Sequence, residues 1–103
     1  MKIITKDNFK EEIASGVVVV DMFADWCGPC RALGPILEEL SEKITDVSFA
    51  KLDVDAAPEI VEEFGIQGIP CVIFFKEGKE VSRIAGLFPK QSYVDEIEKV
   101  KVA

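Results

Sequence analysis

The sequence predicts an α/β fold, a central mixed sheet flanked by helices on both faces, and three observations lead there. The β-branched run VVVV opens a mostly apolar stretch from Val17 to Ala24, the pattern of a strand covered on both faces. From Gly28 to about Ile44 the apolar residues Leu33, Ile36, Leu37, Leu40 and Ile44 recur at helical spacing. Towards the other end, CVIFFKEGKEVSRIAG reads as a hairpin turning at Glu77–Gly78. Early alternation of strand and helix implies parallel strands joined by right-handed crossovers, and the late hairpin adds antiparallel ones. The predicted order is βαβαβ followed by αββα.

Taken in order, KII at residues 2–4 makes a short strand. TKDNFKEEIAS follows, with Phe9 and Ile13 four apart among charges, Thr5 as N-cap and Gly16 as stop. After the Val17–Ala24 strand comes the long helix, with Pro35 inside it. A proline there removes a backbone hydrogen bond at a typical cost of about 3 kcal/mol, so a kink is expected. VSFAKLDVD reads as a strand and APEIVEEFG as a short helix with Ile60, Val61 and Phe64 facing inward. The last helix runs from about Pro89 to Val100 with Val94, Ile97 and Val100 on its buried stripe. No internal repeat, linker or low-complexity segment interrupts the chain, and a single domain over residues 1–103 is expected.

Composition narrows the chemistry. Twelve basic against 19 acidic residues leave a net charge of -7, which disfavours nucleic acid and anionic membrane surfaces as partners. There is no histidine, which removes Ser-His and Cys-His nucleophilic pairs and every imidazole-containing zinc site. Three cysteines, Cys27, Cys30 and Cys71, are too few for an all-thiolate tetrahedral site in one chain or for a disulfide scaffold. MKIITKDNFK has no apolar signal-like core, and a cytoplasmic protein is expected, in a compartment where thiols are kept reduced.

The segment ADWCGPCRALGP, residues 24–35, leaves three readings for its cysteine pair. As a staple it is poor, because closing so short a loop is worth roughly 2 kcal/mol against about 3 for a fifteen-residue loop. As a metal site it lacks a fourth ligand unless a carboxylate or a second chain supplies one. As a redox couple it uses every residue. Cys27 falls between a buried strand and the first turn of a helix, where unpaired N–H groups and the helix dipole stabilise a thiolate. Gly28 lets the chain turn, and Pro29 suits a first helical turn because its missing N–H would be unpaired anyway. Cys30, one turn on, comes within bonding reach of Cys27.

WCGPC after a strand, GIP at Gly68–Pro70 and the βαβαβ–αββα order together resemble the thioredoxin family over essentially the whole chain. CxxC alone is a weak motif; WCGPC in this context is specific. The resemblance implies the thioredoxin fold and a protein-disulfide reductase working by dithiol–disulfide exchange. Cys27 attacks a substrate disulfide and Cys30 resolves the mixed disulfide. No bound cofactor is implied, and reducing equivalents come from NADPH through a thioredoxin reductase. That reductase and disulfide-containing proteins are the implied partners, with a monomer the default state.

The resemblance also assigns roles outside the pair. Asp21 interrupts a buried apolar run, so its carboxyl either reaches solvent at the strand edge or has a raised pKa suited to proton exchange with a thiol. The family carries a buried Asp at this position, beneath the second cysteine. Lys51 matches a family lysine near that Asp, and a pairing is expected. Pro70 matches the family's cis-proline facing the CxxC, which frees the backbone of Ile69 to pair with an extended substrate segment. Trp26, Gly28, Pro29, Ile69, Pro70 and Gly86 are the implied docking surface. Gly78 and Gly86 match family glycines and serve backbone geometry first.

Two departures limit the transfer. Thioredoxins usually read D-F-W-A before the active site, and this chain reads D-M-F-A, with Phe23 in place of the Trp. Phe23 is expected to pack behind the active-site loop with less area. Cys71 stands where the family commonly has Thr; alternation points it away from the Pro70 face and favours a small buried residue, the alternative being a third thiol that forms a mixed disulfide or tunes exchange.

Overall fold

The computed structural model describes residues Met1–Ala103. Its strands are β1 (Lys2–Ile4), β2 (Val17–Phe23), β3 (Ser48–Asp53), β4 (Cys71–Lys76) and β5 (Lys79–Ala85). Its helices are α1 (Phe9–Glu12), α2 (Gly28–Lys43), α3 (Pro58–Glu63) and α4 (Lys90–Val102), with a 3-10 turn at Val54–Ala56. The strands form one sheet in the order β1-β3-β2-β4-β5, parallel from β1 to β2 and antiparallel across β2-β4-β5. This is the mixed sheet that the strand–helix alternation and the late hairpin imply.

β2 is the central strand, and its two faces meet different helices. Val18, Val20 and Met22 point into a core with Phe9 of α1, Ile60 of α3 and Phe75 of β4. Val19 points the other way, to Leu33 and Leu37 of α2 and Tyr93 and Ile97 of α4. Coverage on both sides explains why β2 reads as a continuous apolar run and not an alternating one. It also places Asp21 and Phe23 on the α2 side, because side chains two apart on a strand share a face.

Two local expectations are corrected. Thr5 does not cap α1: Asn8 occupies the N-cap position, and its Oδ1 accepts from the Thr5 backbone N–H at 2.8 Å. The Asp7 N–H donates in turn to Thr5 Oγ1 at 3.3 Å, so the polar segment closes on itself ahead of a helix of four residues. Of the residues expected to face inward at α3, Ile60 is buried and Phe64 packs half-buried against the same core, while Val61 is half-buried outside it. Phe64 stacks at 5.4 Å from Phe9 and 5.6 Å from Phe75, ring centroid to ring centroid, so its edge closes the core. α2 continues through Pro35 as one helix, with the proline on its exposed side.

The hairpin turns where expected. Glu77 and Gly78 take φ values of 51° and 83°, and two successive positive φ values match the twist of a tight hairpin.

Candidate redox site

Cys27 is the N-cap of α2, and Cys27 and Cys30 are joined as a disulfide with their Cα atoms 5.2 Å apart. The local sequence accounts for this geometry. The central strand ends at Phe23, a short turn follows, and Pro29 lies in the first helical turn, where no backbone donor is lost. The backbone N–H of Cys30 donates to the Cys27 sulfur at 3.2 Å. When the pair is reduced, that N–H and the positive end of a 16-residue helix both favour the thiolate on Cys27 over one on Cys30. The two residues are 5 % and 4 % exposed, so little of the disulfide meets solvent.

The surroundings of the disulfide are built by residues from three loops. The Ile69–Pro70 bond is cis, and the Ile69 carbonyl oxygen lies 3.8 Å from the Cys27 sulfur. Pro70 is buried and Ile69 half-buried. The Gly86 N–H donates to the Pro70 carbonyl at 2.8 Å, which brings the β5–α4 loop against the Ile69–Pro70 loop. Gly86 has a φ of 103°, a conformation that favours glycine. Gly28 and Pro29 are exposed at the helix start, and Trp26 stands out at 68 % exposure. The docking residues singled out in the sequence thus sit around the disulfide.

Behind the pair lies a groove of about 670 Å³, lined by Asp21, Phe23, Cys30, Pro35 and Lys51 among others. Asp21 is 2 % exposed, and burial pushes its carboxyl up to about 6 despite the opposing effect of Lys51. Its Oδ1 has no hydrogen-bond partner. The pairing expected between Asp21 and Lys51 is not a salt bridge. The two residues are neighbours in the β2–β3 register, but the Lys51 ammonium sits over the Phe23 ring, 5.2 Å from its centroid. Phe23 packs against Ala24, Cys27 and Cys30, behind the loop as expected.

Cys71 is a free thiol, 2 % exposed, in the core on the opposite face of the sheet with Met22 and Ile73. Burial raises its pKa, which further suppresses the thiolate.

Three contributors were not legible in the sequence. Asp55 accepts from the Trp26 indole nitrogen at 2.8 Å and orients the exposed ring. Tyr93 is buried, and its hydroxyl donates to the Gly86 carbonyl while accepting from the Phe88 N–H, both at 3.2 Å. Arg31 donates to the Asp25 carbonyl at 2.8 Å and ties the active-site turn to α2. Tyr93 could have been found as core from its spacing to Ile97 and Val100; nothing in the pattern signals its loop contacts or the other two.

No group of three or more Cys, Asp or Glu side chains is arranged to hold a metal ion. No helix is long and apolar enough to cross a membrane.

The family model Thioredoxin matches residues 1–99. A thioredoxin of Chlamydia muridarum is 50% identical over 99 residues, covering 96% of this chain and 97% of its own. A thioredoxin of Chlamydia pneumoniae is 44% identical over 99 residues, again covering 96% and 97%. Among solved structures, one described as an initial structural analysis of Plasmodium falciparum thioredoxin superimposes with a TM-score of 0.90 at 36% identity. It covers 96% of this chain and 98% of that one.

Proposed function

Since the chain belongs to the thioredoxin family and is a thiol–disulfide oxidoreductase, we propose that it works as a reductant of protein disulfides, with Cys27 as the attacking thiolate. The observation that supports Cys27 as the attacking residue is its N-cap position, where its sulfur already accepts a backbone N–H at 3.2 Å, and the Gly28–Pro29 pair between the cysteines resembles that of the reducing members of the family.

The step balances as follows. The Cys27 thiolate attacks one sulfur of a substrate disulfide, and the other substrate sulfur leaves as a thiolate that takes a proton. Cys30 then loses its proton, with Asp21 as the acceptor, and attacks the Cys27 sulfur of the mixed disulfide. The second substrate sulfur leaves, the substrate has gained two electrons, and the Cys27–Cys30 disulfide is formed. An Asp with a pKa of about 6 suits this role, being ionised at neutral pH yet more basic than an ordinary carboxylate. Lys51 acts near this carboxylate and Pro70 beside the sulfur.

The substrate segment docks across Trp26, Gly28, Pro29, Ile69 and Gly86, pairing with the Ile69 backbone as an added strand. A thioredoxin reductase carrying electrons from NADPH returns the oxidised pair to the dithiol. The protein acts as a single-domain cytoplasmic monomer that holds no cofactor of its own.

The deciding experiment is the reduction potential of the Cys27–Cys30 couple, read by equilibration in thiol buffers and alkylation of free cysteines. A value near roughly -270 mV, the figure characteristic of thioredoxin itself, fits a reductant. A value of about -120 to -180 mV identifies an oxidant or isomerase and overturns this reading. Cys30→Ser should accumulate a mixed disulfide with a protein substrate, and Cys27→Ser should not.

A further inference from the structure

Lys51 has two partners within its reach and takes the weaker one. Asp21 is its register neighbour on β2, with a buried oxygen that no donor fills. The Lys51 ammonium nevertheless lies over Phe23, and the salt bridges of the protein all involve other residues. Strand geometry makes the choice possible. Phe23 follows Asp21 by two residues, so ring and carboxyl leave the sheet on the same face, and the ring is a diagonal neighbour of Lys51. The negative face of an aromatic ring attracts an ammonium, more so where water is partly excluded, and both Phe23 and Lys51 are half-buried.

We propose that Phe23 is a positioning residue whose ring holds the Lys51 ammonium off the Asp21 carboxylate, keeping that carboxylate basic enough to exchange a proton with the cysteine pair. This rests on the role proposed above for Asp21. A lysine in direct contact would hold Asp21 as its anion and weaken it as a proton acceptor. Parked on the ring, the same charge stays near enough to limit the effect of burial without cancelling it.

The other groups facing Asp21 leave Lys51 as the cation in question. On α2, Glu38 is engaged by the Met1 amine and Glu39 by Lys90, and Arg31 is tied to the Asp25 carbonyl. Asp25 and Glu42 add negative charge at the rim of the groove. The Tyr93 phenol of α4 and, across the sheet on its other face, the Cys71 thiol of β4 are both raised by burial and therefore neutral where Asp21 titrates.

The test is the carboxyl titration of Asp21 by ¹³C NMR in the oxidised protein, where Cys27 and Cys30 carry no protons. Phe23→Leu removes the ring and should lower the Asp21 midpoint by about one unit, a tenfold change in proton affinity. Phe23→Tyr keeps an aromatic face and should leave the midpoint near that of the parent protein. In a Lys51→Met background, Phe23→Leu should have no further effect. An unchanged or raised midpoint in Phe23→Leu overturns the proposal, as does the same drop with Lys51 absent. Should Phe23→Leu not fold, Phe23→Met fills similar space without a ring and carries the same test. This equilibrium titration does not depend on Asp21 taking part in exchange, whereas the rate of resolution in Asp21→Asn tests that reading separately.

Discussion

Asp21 and Lys51 lie side by side on β2 and β3 and form no salt bridge, leaving Asp21 Oδ1 buried without a hydrogen-bond partner. The carboxyl is consequently raised to about 6, first by burial, against the lowering effect of Lys51. A raised folded-state pKa means that the native state binds more protons than the unfolded chain between about pH 4 and 6. The contribution of Asp21 to stability is therefore greatest below pH 4 and is lost as pH rises through 6. The full swing is about 3 kcal/mol. Asp21→Asn should abolish this pH dependence and stabilise the protein at pH 7.5 by roughly 1–3 kcal/mol, less whatever the amide loses by being poorly hydrogen-bonded. Urea unfolding of the parent protein and the variant at pH 4 and pH 7.5 checks this; a constant difference between the two pH values would sink it.

The same substitution should slow resolution of the mixed disulfide while leaving the first attack by Cys27 little changed. Without a proton acceptor near Cys30, a slowing of about 10- to 100-fold is expected, within the usual range for loss of a general base. Rapid mixing with a preformed mixed disulfide separates the two steps. Equal slowing of both steps would point to a structural effect of the variant.

Cys71 should resist alkylation in the folded protein, because its thiol is both buried and raised in pKa. Mass spectrometry after brief exposure of the reduced protein to iodoacetamide should find Cys27 modified and Cys71 untouched. Modification of Cys71 should follow the unfolding equilibrium and rise with denaturant. Labelling of Cys71 at the rate of Cys27 would reveal a third reactive thiol.

Trp26 is the single tryptophan of the chain, so its fluorescence reports on this one position, where Asp55 holds the indole nitrogen. Asp55→Ala should free the indole and lower its fluorescence anisotropy, with a stability change of about 1 kcal/mol or less because the bond is exposed. The KM for a protein disulfide should rise as the docking face loses its order. An unchanged anisotropy would mean that packing, not the hydrogen bond, orients the ring.

Tyr93→Phe removes the hydroxyl that bridges Gly86 and Phe88 while keeping the buried ring. A loss of about 1 kcal/mol is expected, together with faster hydrogen exchange in the Gly86–Phe88 loop. Exchange confined to its former rate would show that the Gly86–Pro70 backbone bond holds this loop by itself.

The residues that make each element act over short stretches of chain, and that is why so much was readable. The run from Val17 to Phe23 has to be a covered strand, WCGPC has to start a helix after it, and Glu77–Gly78 has to turn a hairpin, whatever the rest of the chain does. The proximity of the two cysteines was legible for the same reason, since both lie on one helical turn, while the redox reading drew on the resemblance of WCGPC in its context to the thioredoxin family. What surrounds the pair depends on contacts between residues far apart in sequence. The neighbourhood of Ile69 and Cys27, the hold of Asp55 on Trp26, and the anchoring of Gly86 by Tyr93 all arise from how loops meet at one end of the sheet. The choice Lys51 makes between a carboxylate and a ring is subtler still. Register brings both within reach, and burial, charge and the direction of one flexible side chain decide between them. Periodicity reports which face a residue occupies, and only the packed structure reports whom it meets there.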